Sequence, residues 1–405
     1  MKIVSVVGAR PNFMKIAPFI RAIEKYNYGN GDTIKHILVH TGQHYDVRMS
    51  QAFFTALGIP DPDINLEIGS GSHAEQLGYT MIAFEKVLLV HNPDWVVVVG
   101  DVNATLACSV VAKRLNIKVC HIEAGLRSGD MSMPEEINRL VTDRLSDLLL
   151  TPDLLSSENL RREGIPDERI SFVGNIMIDT LEANRAKAEK IKLVDIFREN
   201  LASDTRLPFI LPNDGEYALL TLHRPSNVDF EEVLVPLVEF LLNEVTNKTM
   251  LIWPIHPRAR KKLQMHGLWD MVINHPSIIL LEPVGYHEML RLNLGAKIIL
   301  TDSGGLQEEC CVLGTPCLTL RWNTERPVTL RENGGASVLV GNNIDRIRKE
   351  FYYTLTLARL PSRPLLWDGN TAERIVKELV EIDRNLTQKN QIRYLITPNM
   401  LLLSK

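Results

Sequence analysis

Two carboxylates and one guanidinium occur close together in residues 121–139. The segment reads His121-Ile-Glu-Ala-Gly-Leu-Arg-Ser-Gly-Asp-Met-Ser-Met-Pro-Glu-Glu-Ile-Asn-Arg. Glu123 follows a short apolar run, so we expect it at the end of a buried strand. Pro134 is typical of a first helical position, and it would open a helix that carries Glu135 and Arg139 on one face. Charges at the carboxyl ends of strands in an open α/β sheet usually belong to a ligand site, and a capped helix start with a surface ion pair is the alternative.

A second group of candidate residues suits a phosphate. The segment reads Thr301-Asp-Ser-Gly-Gly-Leu-Gln-Glu-Glu, and it follows an apolar strand and begins another helix. Ser303, Gly304 and Gly305 allow close approach of the backbone, and the unpaired N–H groups of a helix start favour an anion. Glu309 would lie further along this helix, where it could accept hydrogen bonds from ribose hydroxyls. Plain capping of the helix by Ser303 is the alternative.

Two cations lie near the start of the first predicted helix. Arg10 and Lys15 belong to the turn Gly8-Ala-Arg-Pro-Asn-Phe-Met-Lys. They indicate an anionic substrate beside a helix N-terminus, and a solvated basic turn is the alternative. The turn lacks the Gly-x-Gly-x-x-Gly spacing that lets a backbone approach a pyrophosphate, which argues against a tightly bound nicotinamide cofactor.

Three further side chains are expected at the same cleft. His223 follows a predicted strand and could hydrogen-bond to a leaving phosphate or protonate it, although a lone histidine is more often structural. Asp101 also follows a strand and would project toward Glu123, with helix capping as its competing role. Arg326 is ambiguous, since the neighbouring Glu325 could simply pair with a nearby residue.

The sequence gives no indication of a metal site. His40 and His44 are four residues apart, but the intervening Gly42 turn disfavours a helical pair of ligands, and no third ligand is evident. The five cysteines have no metal-binding spacing. They are Cys108, Cys120, Cys310, Cys311 and Cys317. Their apolar surroundings predict buried reduced thiols, and we expect no disulfide, no metal and no cofactor.

Length and composition favour a globular protein of two domains. A chain of 405 residues exceeds what one hydrophobic core usually supports. The apolar content of 45%, the charged content of 23% and the net charge of −4 give no general attraction to nucleic acid or to an anionic membrane. The N-terminus has no basic leader, and no apolar run approaches the roughly 18 residues of a membrane span. We therefore expect a cytoplasmic location.

Apolar runs rich in β-branched residues alternate with longer amphipathic segments, which predicts parallel βαβ units. Strands are expected at residues 2–7, 37–39, 95–99, 118–122 and 170–173, and then at 217–222, 250–253, 278–281, 297–301 and 316–320. The predicted fold is α/β, with two doubly wound Rossmann-like domains that face a central cleft. Residues 1–190 would carry the acid/base cluster, residues 191–368 would form the second domain with a linker near 207–215, and residues 369–405 would form a last helix and tail that pack back on the first domain.

Seven motifs in this order resemble the non-hydrolysing UDP-N-acetylglucosamine 2-epimerase family, which has a GT-B-like fold. They are Gly8-Ala-Arg-Pro with Lys15, Gly100-Asp, His121-Ile-Glu-Ala-Gly-Leu-Arg, Pro134-Glu-Glu-Ile-Asn-Arg, Thr221-Leu-His-Arg, Asp302-Ser-Gly-Gly-Leu-Gln-Glu-Glu and Thr324-Glu-Arg-Pro. The resemblance covers nearly the whole chain. It implies that UDP-N-acetylglucosamine and UDP-N-acetylmannosamine are the substrates, that the protein is a homodimer, and that the product serves surface polysaccharide synthesis.

The resemblance also implies a mechanism. No carbonyl acidifies the C2 proton of the sugar, so inversion at C2 needs either transient oxidation or departure of a neighbouring group. In the family, UDP leaves from C1 as the C2 proton is removed, which gives a 2-acetamidoglucal, and UDP then adds back. The implied acid/base groups are Asp101, Glu123, Glu135 and His223, with Lys15 and Arg139 beside them. The implied ligand contacts are Arg10, His223, Ser303, Gly304 and Gly305 for the pyrophosphate, Glu309 for the ribose, Met289 in segment 282–289 for uracil, and Arg326 on the sugar side.

Three other functions stay open. A hydrolysing 2-epimerase would release UDP and N-acetylmannosamine, but those relatives carry a His-Gly-Gly-Glu-like loop at the position of Glu123. A GT-B glycosyltransferase would need an acceptor groove, and a sensor would need no acid/base cluster.

Many bacterial relatives bind a second substrate molecule as activator. Gln43 and His44 match that pocket, but residues 69–76 differ from the usual loop, which disfavours activation.

Overall fold

A computed structural model describes residues 1–29, 33–42, 57–203 and 205–400, without the side chains of residues 10 and 386–400. The described chain is an α/β structure with two sheets. All strand pairings within these two sheets are parallel, as the predicted βαβ units require. The doubly wound fold class is confirmed.

The first sheet has seven strands in the order β3-β2-β1-β4-β5-β6-β7. Its strands are β1 (Lys2–Val7), β2 (Lys35–His40), β3 (Ile64–Asn65), β4 (Trp95–Val99), β5 (Lys118–Ile122), β6 (Leu148–Thr151) and β7 (Ile170–Phe172). The helices among them are α1 (Arg10–Gly29), α2 (His73–His91), α3 (Asn103–Arg114), α4 (Pro134–Leu145), α5 (Leu154–Arg162) and α6 (Ile176–Glu189). The order of strands reverses direction beside β1 and β4, which is where doubly wound sheets usually bind ligands.

The second sheet has six strands in the order β10-β9-β8-β11-β12-β13. Its strands are β8 (Tyr217–Thr221), β9 (Met250–Pro254), β10 (Ile278–Leu281), β11 (Ile298–Thr301), β12 (Cys317–Thr319) and β13 (Ser337–Leu339). The remaining helices are α7 (Leu193–Glu199), α8 (Pro225–Val228), α9 (Glu231–Phe240), α10 (Pro257–Met265), α11 (Trp269–Ile273), α12 (Tyr286–Gly295), α13 (Gly304–Leu313), α14 (Ile344–Thr354) and α15 (Thr371–Met400). A π-helical turn, Leu241–Val245, extends α9.

Strand β4 shows why the sheet is buried on both faces. All five residues are apolar and buried. Trp95, Val97 and Val99 belong to one core cluster, whereas Val96 and Val98 belong to another. Because successive side chains of a strand point to opposite faces, the continuous apolar run needs a packed layer on each side.

The last helix packs beside the first sheet. Ile375 and Leu379 of α15 share a core cluster with Phe19 and Ile23 of α1. The carboxylate of Asp179 in α6 accepts hydrogen bonds from the first backbone N–H groups of α15, at 2.7 and 3.1 Å. The predicted domain limits remain predictions. Among the described helices, we find none that combines the length and the apolar character needed to cross a bilayer.

Candidate active site

A polar cavity of about 290 Å³ is lined by residues that follow strands of both sheets. It brings together nine of the side chains and glycines that the sequence predicts for the site. They are Lys15, Asp101, Glu135, Arg139, His223, Ser303, Gly304, Gly305 and Arg326. The cavity is open to solvent, and residues that follow strands of both sheets contribute acids and cations to it. The second sheet also contributes a glycine-rich helix start.

A larger and more apolar cavity of about 470 Å³ adjoins the first. The two cavities share His223, Ser303 and Gly305 in their linings. Met289 and Glu309, predicted as contacts of a base and a ribose, both line this second cavity. The side chain predicted at position 10 lies outside the described residues.

Glu123 lies behind the wall of the polar cavity and is buried, with 5% of its surface exposed. It directly follows β5 and has a φ of +73°, a left-handed conformation that is costly for a residue with a Cβ. Its carboxylate pairs with Lys15 Nζ and, at 3.0 Å, with Arg326 Nη2. Burial alone would raise the pKa of Glu123, but these two cations outweigh burial and hold it below its usual value. Glu123 is therefore ionised at neutral pH.

Arg326 links the two halves of the cleft. Its partner Glu123 is 203 residues away in the chain. It also pairs with Glu325, and its Nε lies 2.8 Å from Glu308 Oε1. Burial would raise the pKa of Glu325, but Arg326 and Arg321 hold it far below its usual value. The pairing of Glu325 with neighbours is thus confirmed, and it does not exclude Arg326 from the cleft.

Arg139 pairs with two carboxylates, one of which belongs to the predicted acidic cluster. Its Nη1 pairs with Asp101, and its Nη2 lies 2.5 Å from Glu136 Oε2. Glu136, which the sequence reasoning missed, also accepts hydrogen bonds from the backbone N–H of Ser128 at 3.0 Å and of the following glycine at 2.9 Å. Within the described chain, the Glu135 carboxylate has no hydrogen bond or ion pair, although it lines the cavity. The surface ion pair considered as the alternative is not observed between Glu135 and Arg139, because Arg139 is buried and Glu136 faces the donors of the loop.

The capping roles considered for Asp101 and Ser303 are not observed. The residue at the N-cap of α3 is Val102, and Asp101 pairs with Arg139. Ser303 does occupy the N-cap of α13, but its side chain makes no capping hydrogen bond within the described structure. Its backbone N–H donates to Thr301 Oγ1 at 3.0 Å, which fixes the turn. The first N–H groups of α13 have no partner inside the helix, so the turn presents them at the cavity wall.

His223 is oriented by a buried carboxylate, Asp302. Its Nδ1 lies 2.7 Å from Asp302 Oδ1, and the backbone N–H of His223 and that of Arg224 donate to Asp302 Oδ2 at 3.0 and 2.8 Å. Burial would raise the pKa of Asp302, but these contacts hold it below its usual value. With Nδ1 engaged by an anion, Nε2 is the ring nitrogen available to a ligand. The side chain of His223 is 39% exposed, which suits that role.

The environment of Glu309 raises the pKa of its carboxyl group, whereas that of Asp302 lowers it. It is 4% exposed. Burial raises its pKa to about 7, and contacts with Asn293 and Tyr286 offset only part of that effect. The uncharged form of Glu309 is therefore substantially populated near neutral pH when the cavity is empty.

The described residues contain no group of His, Cys, Asp and Glu side chains that could hold a metal ion. His40 is buried, whereas Gln43 and His44 lie outside the described residues. The five cysteines are all described and are buried free thiols.

Comparisons with known proteins agree with this geometry. Residues 28–380 match a family model described as UDP-N-acetylglucosamine 2-epimerase. A relative from Methanocaldococcus jannaschii, named UDP-N-acetylglucosamine 2-epimerase, is 44% identical over 381 residues, which cover 94% of this chain and 99% of the relative. A crystal structure of Methanocaldococcus jannaschii UDP-GlcNAc 2-epimerase in complex with UDP-GlcNAc and UDP has a TM-score of 0.83 at 43% identity, with 94% of this chain and 100% of that chain covered. A Pseudomonas aeruginosa relative, named UDP-2,3-diacetamido-2,3-dideoxy-D-glucuronate 2-epimerase, is 36% identical over 386 residues, which cover 94% of this chain and 100% of the relative.

Proposed function

This chain belongs to the UDP-N-acetylglucosamine 2-epimerase family, and on that premise we propose that it interconverts UDP-N-acetylglucosamine and UDP-N-acetylmannosamine without hydrolysis. One observation carries the proposal. A single cleft joins the acid/base side chains Lys15, Asp101, Glu135 and Arg139 to the helix start at Ser303. Elimination of UDP needs both halves, because the C2 proton must leave the sugar while the pyrophosphate charge that develops is stabilised.

The proposed reaction has two steps. A carboxylate takes the C2 proton, the electron pair of the C2–H bond forms the C1=C2 double bond, and UDP leaves with the electron pair of the C1–O bond. UDP then adds back to C1 of the 2-acetamidoglucal while a proton is delivered to the other face of C2. Asp101 and Glu135 line the cavity directly, and Glu123 lies behind Lys15 and Arg326. Because close carboxylates titrate together, we assign the proton transfers to the three as a cluster.

The second sheet would hold the UDP. The helix start at residues 303–305, His223 and the side chain of Arg10 would bind the pyrophosphate. Glu309 would accept hydrogen bonds from the ribose, and Met289 would contact uracil in the apolar cavity. Arg326 would lie on the sugar side. In this assignment UDP stays bound until it adds back to C1 of the glucal, and this retention distinguishes an epimerase from a hydrolase.

One experiment tests the proposal against its alternatives. The protein is incubated with UDP-N-acetylglucosamine in D2O, and the products are followed by NMR. UDP-N-acetylmannosamine deuterated at C2 supports the proposal, whereas free N-acetylmannosamine with UDP indicates the hydrolysing reaction. No turnover without an acceptor indicates a transferase or a sensor. A parallel incubation with UDP-2,3-diacetamido-2,3-dideoxy-D-glucuronate tests the substrate named for the Pseudomonas aeruginosa relative.

We also propose that the protein acts as a cytoplasmic homodimer that supplies precursors of a surface polysaccharide. An exposed apolar stripe on α2 supports the dimer. Tyr79, Ile82 and Leu89 lie on one side of this helix and are 58%, 59% and 66% exposed, and Val90 beside them is 78% exposed. Large side chains in such a stripe are typical of a protein interface. Light scattering checks the proposal, and a monomer at micromolar concentration would contradict it.

A further inference from the structure

His121 lies at the centre of a buried network of hydrogen bonds and an ion pair, to which the proposed chemistry assigns no role. Its side chain is 0% exposed. Its Nδ1 lies 2.6 Å from Asp143 Oδ1, and its Nε2 lies 2.8 Å from the carbonyl oxygen of Gly100. The second oxygen of Asp143 accepts from the backbone N–H of Gly125 at 3.0 Å and pairs with Arg127 Nη1 at 2.7 Å.

The partners of the two ring nitrogens fix the orientation of His121. A backbone carbonyl can only accept a hydrogen bond, so Nε2 is the donor to Gly100. Burial would raise the pKa of Asp143, but His121 and Arg127 outweigh it and hold the pKa below its usual value. Asp143 engages Nδ1 and thereby holds the ring in the position from which Nε2 donates to Gly100.

Gly100 is the point where the hydrogen-bond network of His121 meets the proposed acid/base cluster. It has a φ of +68°, and its N–H donates to Ile122 O at 3.1 Å, so β5 holds it through both its N–H and its carbonyl. A Cβ at Gly100 would lie 3.1 Å from Lys15 Nζ and 3.3 Å from Glu123 Oε2. The pair of Lys15 and Glu123 thus packs directly on Gly100. The next residue in the chain is Asp101, which lines the cavity.

We propose that His121 is a positioning residue whose Nε2–H bond fixes the carbonyl of Gly100 and thereby sets the placement of Asp101 relative to Glu123. Glycine adopts left-handed and right-handed conformations with similar ease, so without this bond the turn has a second orientation open to it. The effect on turnover rests on the proposed function. The hydrogen bond from Nε2 to Gly100 is a property of the ligand-free protein, and it is measured separately.

Three variants separate positioning from a general loss of structure. His121→Leu removes both hydrogen bonds. His121→Gln restores a donor to Gly100 but turns its amide oxygen toward the Asp143 carboxylate. Adding Asp143→Asn to His121→Gln lets the two amides hydrogen-bond to each other while the donor to Gly100 is kept. This double variant rebuilds the bond without the charge, and Arg127 keeps its second partner, Glu163.

The kinetic readout is the split between kcat and KM. A displacement of about 1 Å in a site costs about 100-fold in rate, so we expect His121→Leu and His121→Gln to lower kcat by about that factor. The affinity for UDP should change little, since His121 lines neither cavity. Removing a buried partner of Asp143 should lower the melting temperature of both single variants, so the rates are measured well below it. The double variant should recover at least about 10-fold of the lost kcat. Wild-type kcat in His121→Leu, or no recovery in the double variant, overturns the positioning role.

A second readout does not depend on turnover. In protein labelled with 15N-histidine, long-range NMR spectra should show a proton on Nε2 of His121, with the signal assigned by its loss in His121→Gln. An Nε2 that carries no proton overturns the inference. If the wild-type protein fails to epimerise the substrate, the proposed function fails while this spectrum still decides the state of His121. If His121→Leu does not fold, the comparison of the single and double glutamine variants provides the kinetic test.

Discussion

Replacing Glu309 with glutamine should stabilise the protein at alkaline pH. Burial raises the pKa of Glu309 to about 7, from an ordinary value of 4.5. In the unfolded chain this carboxyl group ionises near its ordinary value. Between these two pKa values the folded state holds one more proton than the unfolded state, so the free energy of unfolding falls as pH rises through that window.

The size of the effect follows from the two pKa values. They differ by about 2.5, and each pKa unit corresponds to about 1.4 kcal/mol, so the ionised Glu309 costs about 3 kcal/mol of stability above pH 7. Below the ordinary pKa the cost vanishes, because both states are then protonated. Glutamine keeps the size and the polar contacts of Glu309 but never ionises. The variant should therefore lack the cost at every pH.

Urea unfolding of Glu309→Gln and the wild-type protein at several pH values measures this difference. The variant should gain less than about 1 kcal/mol at pH 5 and about 3 kcal/mol at pH 8.5. Glu239→Gln, an exposed change on α9, is the matched control and should follow the wild-type curve. At pH 8 the UDP affinity of Glu309→Gln should fall by about 10-fold, since a charged acceptor is lost from the proposed ribose site. A difference in stability that does not vary with pH refutes the reasoning.

Three other perturbations test separate parts of the cleft. Glu123→Gln should retain UDP binding. Deuterium incorporation at C2 should fall by orders of magnitude, because the two paired cations lose their balancing charge. Unchanged turnover would remove Glu123 from the mechanism. Gly304→Ala places a methyl group 2.8 Å from Arg326 Nη1 and should lower both melting temperature and turnover. Gly305→Ala meets no described atom within 4 Å, so it should keep the melting temperature and weaken UDP binding, and identical effects of the two changes would contradict this placement. Arg139→Met leaves two carboxylates without their cation and should lower the free energy of unfolding by about 3 kcal/mol in urea titrations, and a loss below about 1 kcal/mol would contradict that role.

The sequence predicts the fold well where strands are continuous apolar runs. The predicted and observed bounds coincide for β1, β4, β5 and β10. The prediction missed β3, β6 and β13, which have two, four and three residues. Runs this short give a weak periodic signal, so strands of such length are recognised in some places and missed in others. Short elements owe their structure to neighbouring strands, and that context is not visible in a local pattern.

The sequence also predicts which residues line the cleft, because motifs at the carboxyl ends of parallel strands must meet. It does not predict which charges pair. Arg326 and Glu123 are 203 residues apart, so only the packing of the two sheets brings them together. Asp302 was not assigned a role, although it directly precedes the predicted Ser303, because its contacts with the His223 segment join residues that are 78 and 79 positions apart in sequence. Ion pairs of this kind depend on tertiary structure and leave no local signal.

Two motifs each contain two adjacent glutamates, Glu135 with Glu136 and Glu308 with Glu309. The two members of each doublet have different roles, and helix geometry explains why. Successive residues of a helix point about 100° apart, so neighbouring carboxylates cannot face the same partner. Glu136 pairs with a buried arginine while Glu135 lines the polar cavity. In the same way Glu308 lies against Arg326, and Glu309 lines the apolar cavity. One acid of each doublet thus stabilises the cleft, and the other is left for a ligand. Burying Glu309 for a ligand has an energetic cost, and its raised pKa reflects that cost. In the proposed complex, hydrogen bonds from the ribose would offset the cost.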